Sequence, residues 1–280
     1  MEAANLITSP FGIGEGLILK LLKKGETIYT VFPSPKNVPM SFLGRINLKY
    51  GFLQFEKDVN LDKSLPRRVE NVYHVYEAYS GSFTRIFKAN PCATLMLLEW
   101  AKKVGVKRFI YISSGEVYGE GKNLEETSPY KPRSFYAMSK FETEFLFRYY
   151  QKHFKIITVR IFFPFGKTLK EGFVSELHHA VKSKGKIETE YNVISPTFID
   201  DTIEPLIKAR DLDKNDVFNF CGSPIETEEF IDRLKYTCGG SAGKIKTGRI
   251  GLTGNSAKAE RMLGYRKTPL NDALKNSFGK

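Results

Sequence analysis

Tyr136 and Lys140 in FYAMSK stand four residues apart. On a helix that spacing puts both side chains on one face. An ammonium beside a phenol favours the phenolate and lowers its pKa. Such a phenol can take a proton from a substrate hydroxyl while hydride leaves the same carbon. By itself the spacing is common by chance, and an exposed aromatic followed by an exposed lysine accounts for it equally well. Upstream, FIYISSGEVYG sets Ser113 and Ser114 at the end of an apolar run. A hydroxyl there can hydrogen-bond a reacting oxygen, or it can satisfy strand-end backbone groups. Glu116 follows, able to act as a base, to hold a substrate hydroxyl or simply to face water. Asn90 precedes TLMLLEWAKK, where a helix N-cap is its ordinary role.

A second constellation opens the chain. ITSPFGIGEGL is a short apolar run, a glycine-rich turn and the start of an amphipathic helix, the order in which a dinucleotide-binding domain begins. Gly12, Gly14 and Gly16 can bring backbone amides and a helix N-terminus to a pyrophosphate. Ser9 and Pro10 are out of character, because the first turn of such a loop normally carries a glycine.

The elements that must position these residues alternate. Leu6–Thr8, Thr27–Phe32, Gly51–Lys57, Val72–Tyr76, Arg108–Ser113 and Lys155–Ile161 read as strands. Gly16–Lys24, Thr94–Lys103 and Ser139–Lys152 read as helices between them. This βαβα order predicts an α/β fold, a doubly wound parallel sheet with helices on both faces. Ligands then sit at the carboxyl ends of the strands, which is where the motifs fall. After Gly166 the pattern loosens. The expected organisation is a nucleotide-binding domain over 1–165, to which 196–221 returns, and a smaller C-terminal lobe within 166–280.

The 280 residues suit one large domain or a core with a lobe, and 41% hydrophobic with 26% charged residues is ordinary for a globular protein. No apolar run is long enough to cross a bilayer, and no secretory signal pattern opens the chain. Cys92, Cys221 and Cys238 have no CxxC or metal-ligand spacing and read as reduced thiols of a cytoplasmic protein. His178 and His179 are adjacent and so point about 100° apart on a helix, a poor metal pair. The net charge of +12 attracts phosphorylated ligands, acidic membrane or nucleic acid. The lysines are scattered, however, so a solvated basic surface is preferred to a nucleic-acid footprint.

NPCATLMLLEWAKKVGVKRFIYISSGEVYG, the Tyr136–Lys140 pair, VRIFFPFG and FIDDTIEPLIKA together resemble, in order, the extended short-chain dehydrogenase/reductase superfamily. More narrowly they resemble its NAD-dependent epimerase/dehydratase family, which acts on nucleotide sugars. The resemblance spans about Asn5 to Ala209, and NSAKAERMLGYRKTPLNDALKNS is similar to the family's closing stretch. It implies a Rossmann fold with Ser114, Tyr136 and Lys140 as the catalytic triad. It also implies a cofactor site of Thr8, Gly12, Ile13, Gly14, Asn90, Tyr136 and Lys140, with Asp58 of KDVNLD against the adenine ring. Against the family's TGxxGxxG, the loop Thr8–Gly14 has Ser9 for a glycine and is one residue shorter. Phe32 stands where an acidic residue would bind the adenosine ribose. Ser34 and Lys36 just beyond can hold a 2′-phosphate, so the cofactor is NAD or NADP; PSPKN is otherwise a plain turn.

Family dehydratases carry an acidic pair where this chain has Gly115 and Glu116. Phe163 replaces the usual asparagine after Arg160, and Ile194 stands where an arginine often grips the substrate diphosphate. The resemblance therefore implies an epimerase that transiently oxidises the hydroxyl of a nucleotide-linked sugar, with a keto-sugar reductase or a dehydratase as alternatives. It also implies a homodimer. A catalytically weak dinucleotide-binding protein with an RNA or protein partner is the rival from outside enzymology.

Overall fold

The computed structural model describes residues 2–57 and 60–279; Asp58 lies outside the described residues. Seven strands form one sheet: β1 (Glu2–Ile7), β2 (Ile28–Phe32), β3 (Leu48–Phe52), β4 (Arg68–His74), β5 (Arg108–Ser114), β7 (Lys155–Ile161) and β11 (Asp216–Phe220), the numbers left open belonging to strands of the lobe. Their spatial order is β3-β2-β1-β4-β5-β7-β11, and every neighbouring pair is parallel. Chain order reverses between β1 and β4, which makes a crevice at their carboxyl ends. The doubly wound Rossmann architecture is therefore present.

Both faces of this sheet are buried. On one, α1 (Ile13–Lys23) and α7 (Asp200–Ala209) lay Leu17, Ile18, Leu21, Leu206 and Ile207 against Ile7, Ile28, Ile110 and Ile157. On the other, α4 (Ala93–Val104) packs Leu97, Leu98 and Ala101 against Leu6, Val72 and Phe109. Complete burial of one such leucine is worth about 1.5–3 kcal/mol, so each face is held by several. α4 ends at Gly105, whose left-handed φ of 75° closes the helix. Before it, α3 (Phe83–Phe87) runs through a π-helical turn, Lys88–Cys92. Pro91 sits within that turn; it has no N–H to offer, and the helix widens there. Asn90 thus lies inside a continuous helical run whose cap is Ser82, so the N-cap reading of Asn90 is corrected.

α5 (Phe135–Leu146) begins earlier and stops earlier than the pattern suggests. Ser134 caps it by accepting from the Ala137 N–H, and a 3₁₀ turn, Phe147–Tyr149, follows it. Tyr136 and Lys140 are consequently in its first two turns.

The lobe has a four-stranded sheet of β6 (Gly121–Leu124), β9 (Ile187–Ile194), β12 (Ile225–Glu226) and β13 (Ile245–Gly254), in the order β12-β9-β13-β6. A short parallel pair, β8 (Pro164–Phe165) and β10 (Thr197–Phe198), links it to the core. α6 (Phe173–Lys182), α8 (Thr227–Cys238) and α10 (Leu270–Phe278) share its core through Val174, Leu177, Phe230, Leu234 and Leu274. Two pieces cross between the layers. β6, from the first half of the chain, joins the lobe sheet beside β13. α9 (Ala257–Leu263), from the last part, buries Ala259 and Leu263 in the core of the large sheet. Among the described residues no helix is long and apolar enough to cross a membrane, and no His, Cys, Asp and Glu cluster could hold a metal.

Candidate active site

The switch point opens into a cleft of about 1030 Å³ bounded by both layers. The glycine turn, Pro33, Gln54, the stretch Val75–Glu77, Ser114, Glu116 and Tyr136 line it from the sheet side. Phe163, Lys167 and Phe173 line it from the lobe side.

The turn after β1 resolves the oddity of Ser9. Gly12 has a φ of 58°, while Ser9 is not among the residues with positive φ. The left-handed residue of this shortened loop is Gly12 alone, and Ser9 adopts backbone angles open to any residue. Gly14 is required for space, since a Cβ there would sit 1.8 Å from the Ser9 carbonyl oxygen. No side chain caps α1, so the first-turn N–H groups of a helix aimed at the cleft have no side-chain acceptor. That is a cradle suited to a phosphate. Thr8 stands behind the turn rather than in it. Its buried hydroxyl accepts from the Val75 and Tyr76 N–H groups and bonds His74 Nδ1 at 3.0 Å.

At the far end β2 finishes on buried Phe32. Ser34 donates to Asn37 Oδ1 at 2.6 Å, and Lys36 is exposed on a 3₁₀ turn, Pro35–Asn37. Neither contributes to the lining of the cleft. Asn90 is buried and holds the post-β4 segment, accepting from Ala78 N and donating to Ala78 O and Ser139 Oγ.

The catalytic candidates meet where β5 and α5 converge. Tyr136 donates to Glu77 Oε2 at 2.9 Å, and Lys140 donates to the same oxygen at 2.8 Å and to the Ile112 carbonyl at 2.6 Å. The Lys140 ammonium also lies 4.5 Å from the centre of the Tyr111 ring. Adjacent residues on a strand face opposite ways, and the two serines separate accordingly. Both line the cleft, but Ser113 donates to Glu144 Oε1 at 2.5 Å, whereas the Ser114 hydroxyl accepts only from the nearby Glu116 N–H at 3.1 Å.

Glu77 is a member of this site that reading by motif passes over. Its available signal was a lone carboxylate, in VYEAYS, just past the carboxyl end of a parallel strand. Burial, then the charges of Glu77 and Glu116, push the Tyr136 phenol well above its ordinary range. Burial works against the charge on Lys140, but Glu77 and Tyr111 outweigh it and hold the ammonium above its ordinary range. Burial, then Glu77 and Glu190, push Glu116 up to about 7. His74, fully buried, is pushed down to about 3 by burial and then by Lys140, and is a neutral hydrogen-bonding link.

Position 115 has no room for a side chain, because a Cβ there would lie 2.5 Å from the Phe162 ring. Phe163 takes a φ of 42° with its ring buried against Phe173 and Tyr191, both at 5.0 Å. Asparagine tolerates that left-handed backbone far better than phenylalanine, so ring packing is what holds Phe163 there. Ile194 is wholly buried in the lobe.

A doubly wound parallel sheet with a glycine turn at its switch point is a dinucleotide-binding type of fold. The NAD dependent epimerase/dehydratase family model matches residues 12–197, and the chain belongs to that family. Among curated relatives, the UDP-glucose 4-epimerase of Erwinia amylovora is 31% identical over 181 residues, covering 58% of this chain and 53% of that protein. The chain spans 53–63% of the length of the first curated relatives it matches. Among solved structures, MoeE5 in complex with UDP-glucuronic acid and NAD superposes with a TM-score of 0.84 at 21% identity, covering 98% of this chain and 97% of that one. The UDP-glucuronic acid 4-epimerase of Bacillus cereus in complex with NAD gives 0.84 at 24% identity, covering 98% and 95%. These structures establish the fold.

Proposed function

We propose that this protein is an NAD-dependent epimerase of a nucleotide-linked sugar. The observation that carries the reading is that Ser114 and Tyr136 line one cleft with an uncapped glycine turn, with Lys140 buried behind Tyr136. Family membership and the NAD-bound structural neighbours support the choice of cofactor. The cradle fits a dinucleotide: the uncapped N-terminus of α1 would hold its pyrophosphate, and Gly14 lets the turn close tightly. Bound there, NAD would supply a reversible hydride acceptor for a sugar carbon.

The chain's own residues do the rest. Tyr136 holds or gives up the proton of the reacting hydroxyl. Lys140 supplies the positive charge that stabilises its phenolate. Ser114 donates a hydrogen bond that fixes the reacting oxygen. Phe163 and Phe173 offer an aromatic wall for the sugar. Glu116, held near neutrality by burial and its acidic neighbours, binds a sugar hydroxyl in either protonation state.

Dehydration is disfavoured, since Phe162 occupies the space an acid at position 115 would need. A keto-sugar reductase uses the same three residues and differs in releasing the reduced cofactor. A homodimer accords with the exposed Phe83, Leu95, Met138 and Phe145 on α3, α4 and α5.

Native mass spectrometry after incubation with NAD, with NADP and with UDP-glucose tests the reading. The expected result is a retained NAD adduct, with a changed epimer ratio of the sugar nucleotide on chromatography. Preference for NADP would reassign the cofactor, and no dinucleotide adduct at all would sink the proposal.

A further inference from the structure

Glu77 puts a carboxylate between the two residues whose cooperation the proposed chemistry requires. Tyr136 and Lys140 both donate to one oxygen, Glu77 Oε2, at 2.9 and 2.8 Å. The ammonium is almost wholly buried, while the Glu77 side chain keeps 33% of its surface open to the cleft. An unpaired lysine lowers the pKa of a nearby phenol. Here a carboxylate lies in contact with the lysine and cancels most of that field. It also accepts the phenol's own hydrogen bond, which favours the neutral hydroxyl over the phenolate.

We propose that Glu77 is a positioning residue that keeps Tyr136 protonated in the empty cleft by accepting its hydrogen bond and neutralising Lys140. This rests on the reading of Tyr136 as the acid/base group.

The surroundings of the pair are accounted for. From β5 the Tyr111 phenol faces Lys140, and from the turn after β5 Glu116 faces Tyr136. From the segment after β4, Tyr79 meets the Tyr136 ring edge-on at 4.8 Å and His74 stands neutral behind Lys140. Across the cleft, Glu176 on α6 and Glu190 and Tyr191 on β9 act on Glu116 or Tyr79. Lys140 is the cation bonded to Glu77, with its ammonium 6.0 Å from the centre of the Tyr136 ring, so Glu77 controls a positive charge beside the phenol.

The test is a pH titration of carbon-13-labelled tyrosine by NMR, without cofactor or substrate, with Tyr136 assigned from its absence in Tyr136→Phe. In the wild-type protein its signal is expected to stay at the neutral-phenol position up to about pH 10, the ordinary tyrosine value. In Glu77→Gln, and in Glu77→Ala as a second variant, the midpoint is expected to fall by at least about one pH unit, the least an opposite charge so placed commonly causes. Titration of wild-type Tyr136 below about pH 10, or an unmoved midpoint in both variants, would overturn the proposal. Because the readout is independent of NAD, failure to bind dinucleotide counts against the enzymatic reading and leaves this one to be judged by its own titration.

Discussion

Two cation–carboxylate–tyrosine clusters, each built on a buried cation, hang from the same face of α5, four residues apart, and they behave as different kinds of object. The first is Lys140–Glu77–Tyr136. The second joins Arg160 of β7 to Glu144, Tyr118 and Tyr130, with Nη2–Oε2 at 2.7 Å and Nη1 also donating to the Glu126 carbonyl at 3.0 Å. Arg160 and Glu144 are 1% and 6% exposed; Lys140 and Glu77 are 1% and 33%. In the second cluster the ion pair itself is sealed, and its carboxylate also accepts from Ser113 and from Tyr130, which is 41% exposed, so its oxygens are fully used. In the open one a carboxylate edge meets the cleft, where a ligand can compete for it. The chemistry of the groups is nearly the same, and access decides which cluster serves structure and which can serve reaction. A charge pair sealed from water loses heavily when one partner goes; a pair at a cleft can exchange partners.

That contrast can be broken most forcefully at Glu144. Glu144→Ala leaves Arg160 buried without its carboxylate and is expected to cost about 3–5 kcal/mol, read from denaturant unfolding. Retention of wild-type stability would mean that the cluster is not sealed. Tyr136→Phe is expected to do the converse. Turnover on the sugar nucleotide falls by about two to four orders of magnitude, while the unfolding midpoint moves by no more than one lost hydrogen bond, about 1 kcal/mol. Full activity would remove Tyr136 from the chemistry.

Glu116 gives the pH signature. Its folded-state pKa, about 7, lies above the ordinary 4.5, so the folded protein keeps a proton that the unfolded chain releases between those values. Stability from this group is present below that window and is lost as pH rises through it. Glu116→Gln is therefore expected to match the wild type near pH 4 and to exceed it at pH 8 by on the order of 2 kcal/mol, measured by unfolding at both. A constant difference across pH would show that Glu116 is not held protonated. The smallest effect separates the two serines. Ser113→Ala is expected to lose about 1 kcal/mol of stability with turnover kept, and Ser114→Ala to keep stability and lose turnover. The opposite assignment would exchange their roles.

Much of the scaffold was legible because it is periodic. Six of the seven strands of the large sheet and the helices over them announce themselves within a window of a dozen residues, and Gly105 marks its helix end; β11 was not read, and β3 lies at Leu48–Phe52 rather than over Gly51–Lys57. The Tyr136–Lys140 face was readable for the same reason. Boundaries were less so: α5 starts at Phe135 because Ser134 caps it, and Asn90 sits within a helix that begins at Ser82 instead of capping one. Ser9 read as a defect in the loop, yet the shortened turn places its left-handed residue at Gly12. The substitution at position 9 therefore imposes no backbone strain. β6 was hidden because its strand partner, β13, lies more than a hundred residues further along the chain.

The sequence by itself determined the alternation that builds a parallel sheet, the glycine turn at its first crossover and the helical spacing that puts a phenol and an ammonium side by side. These are local properties, set by repeats of two and of 3.6 residues. Only the tertiary structure decided which charges that pair would meet. Glu77 arrives from 59 residues before Tyr136, Phe162 closes the space beside Gly115, and Arg160 claims Glu144 for a sealed network. The sheet's crossover connections bring those residues together, and their sequence separation carries no periodic trace of it.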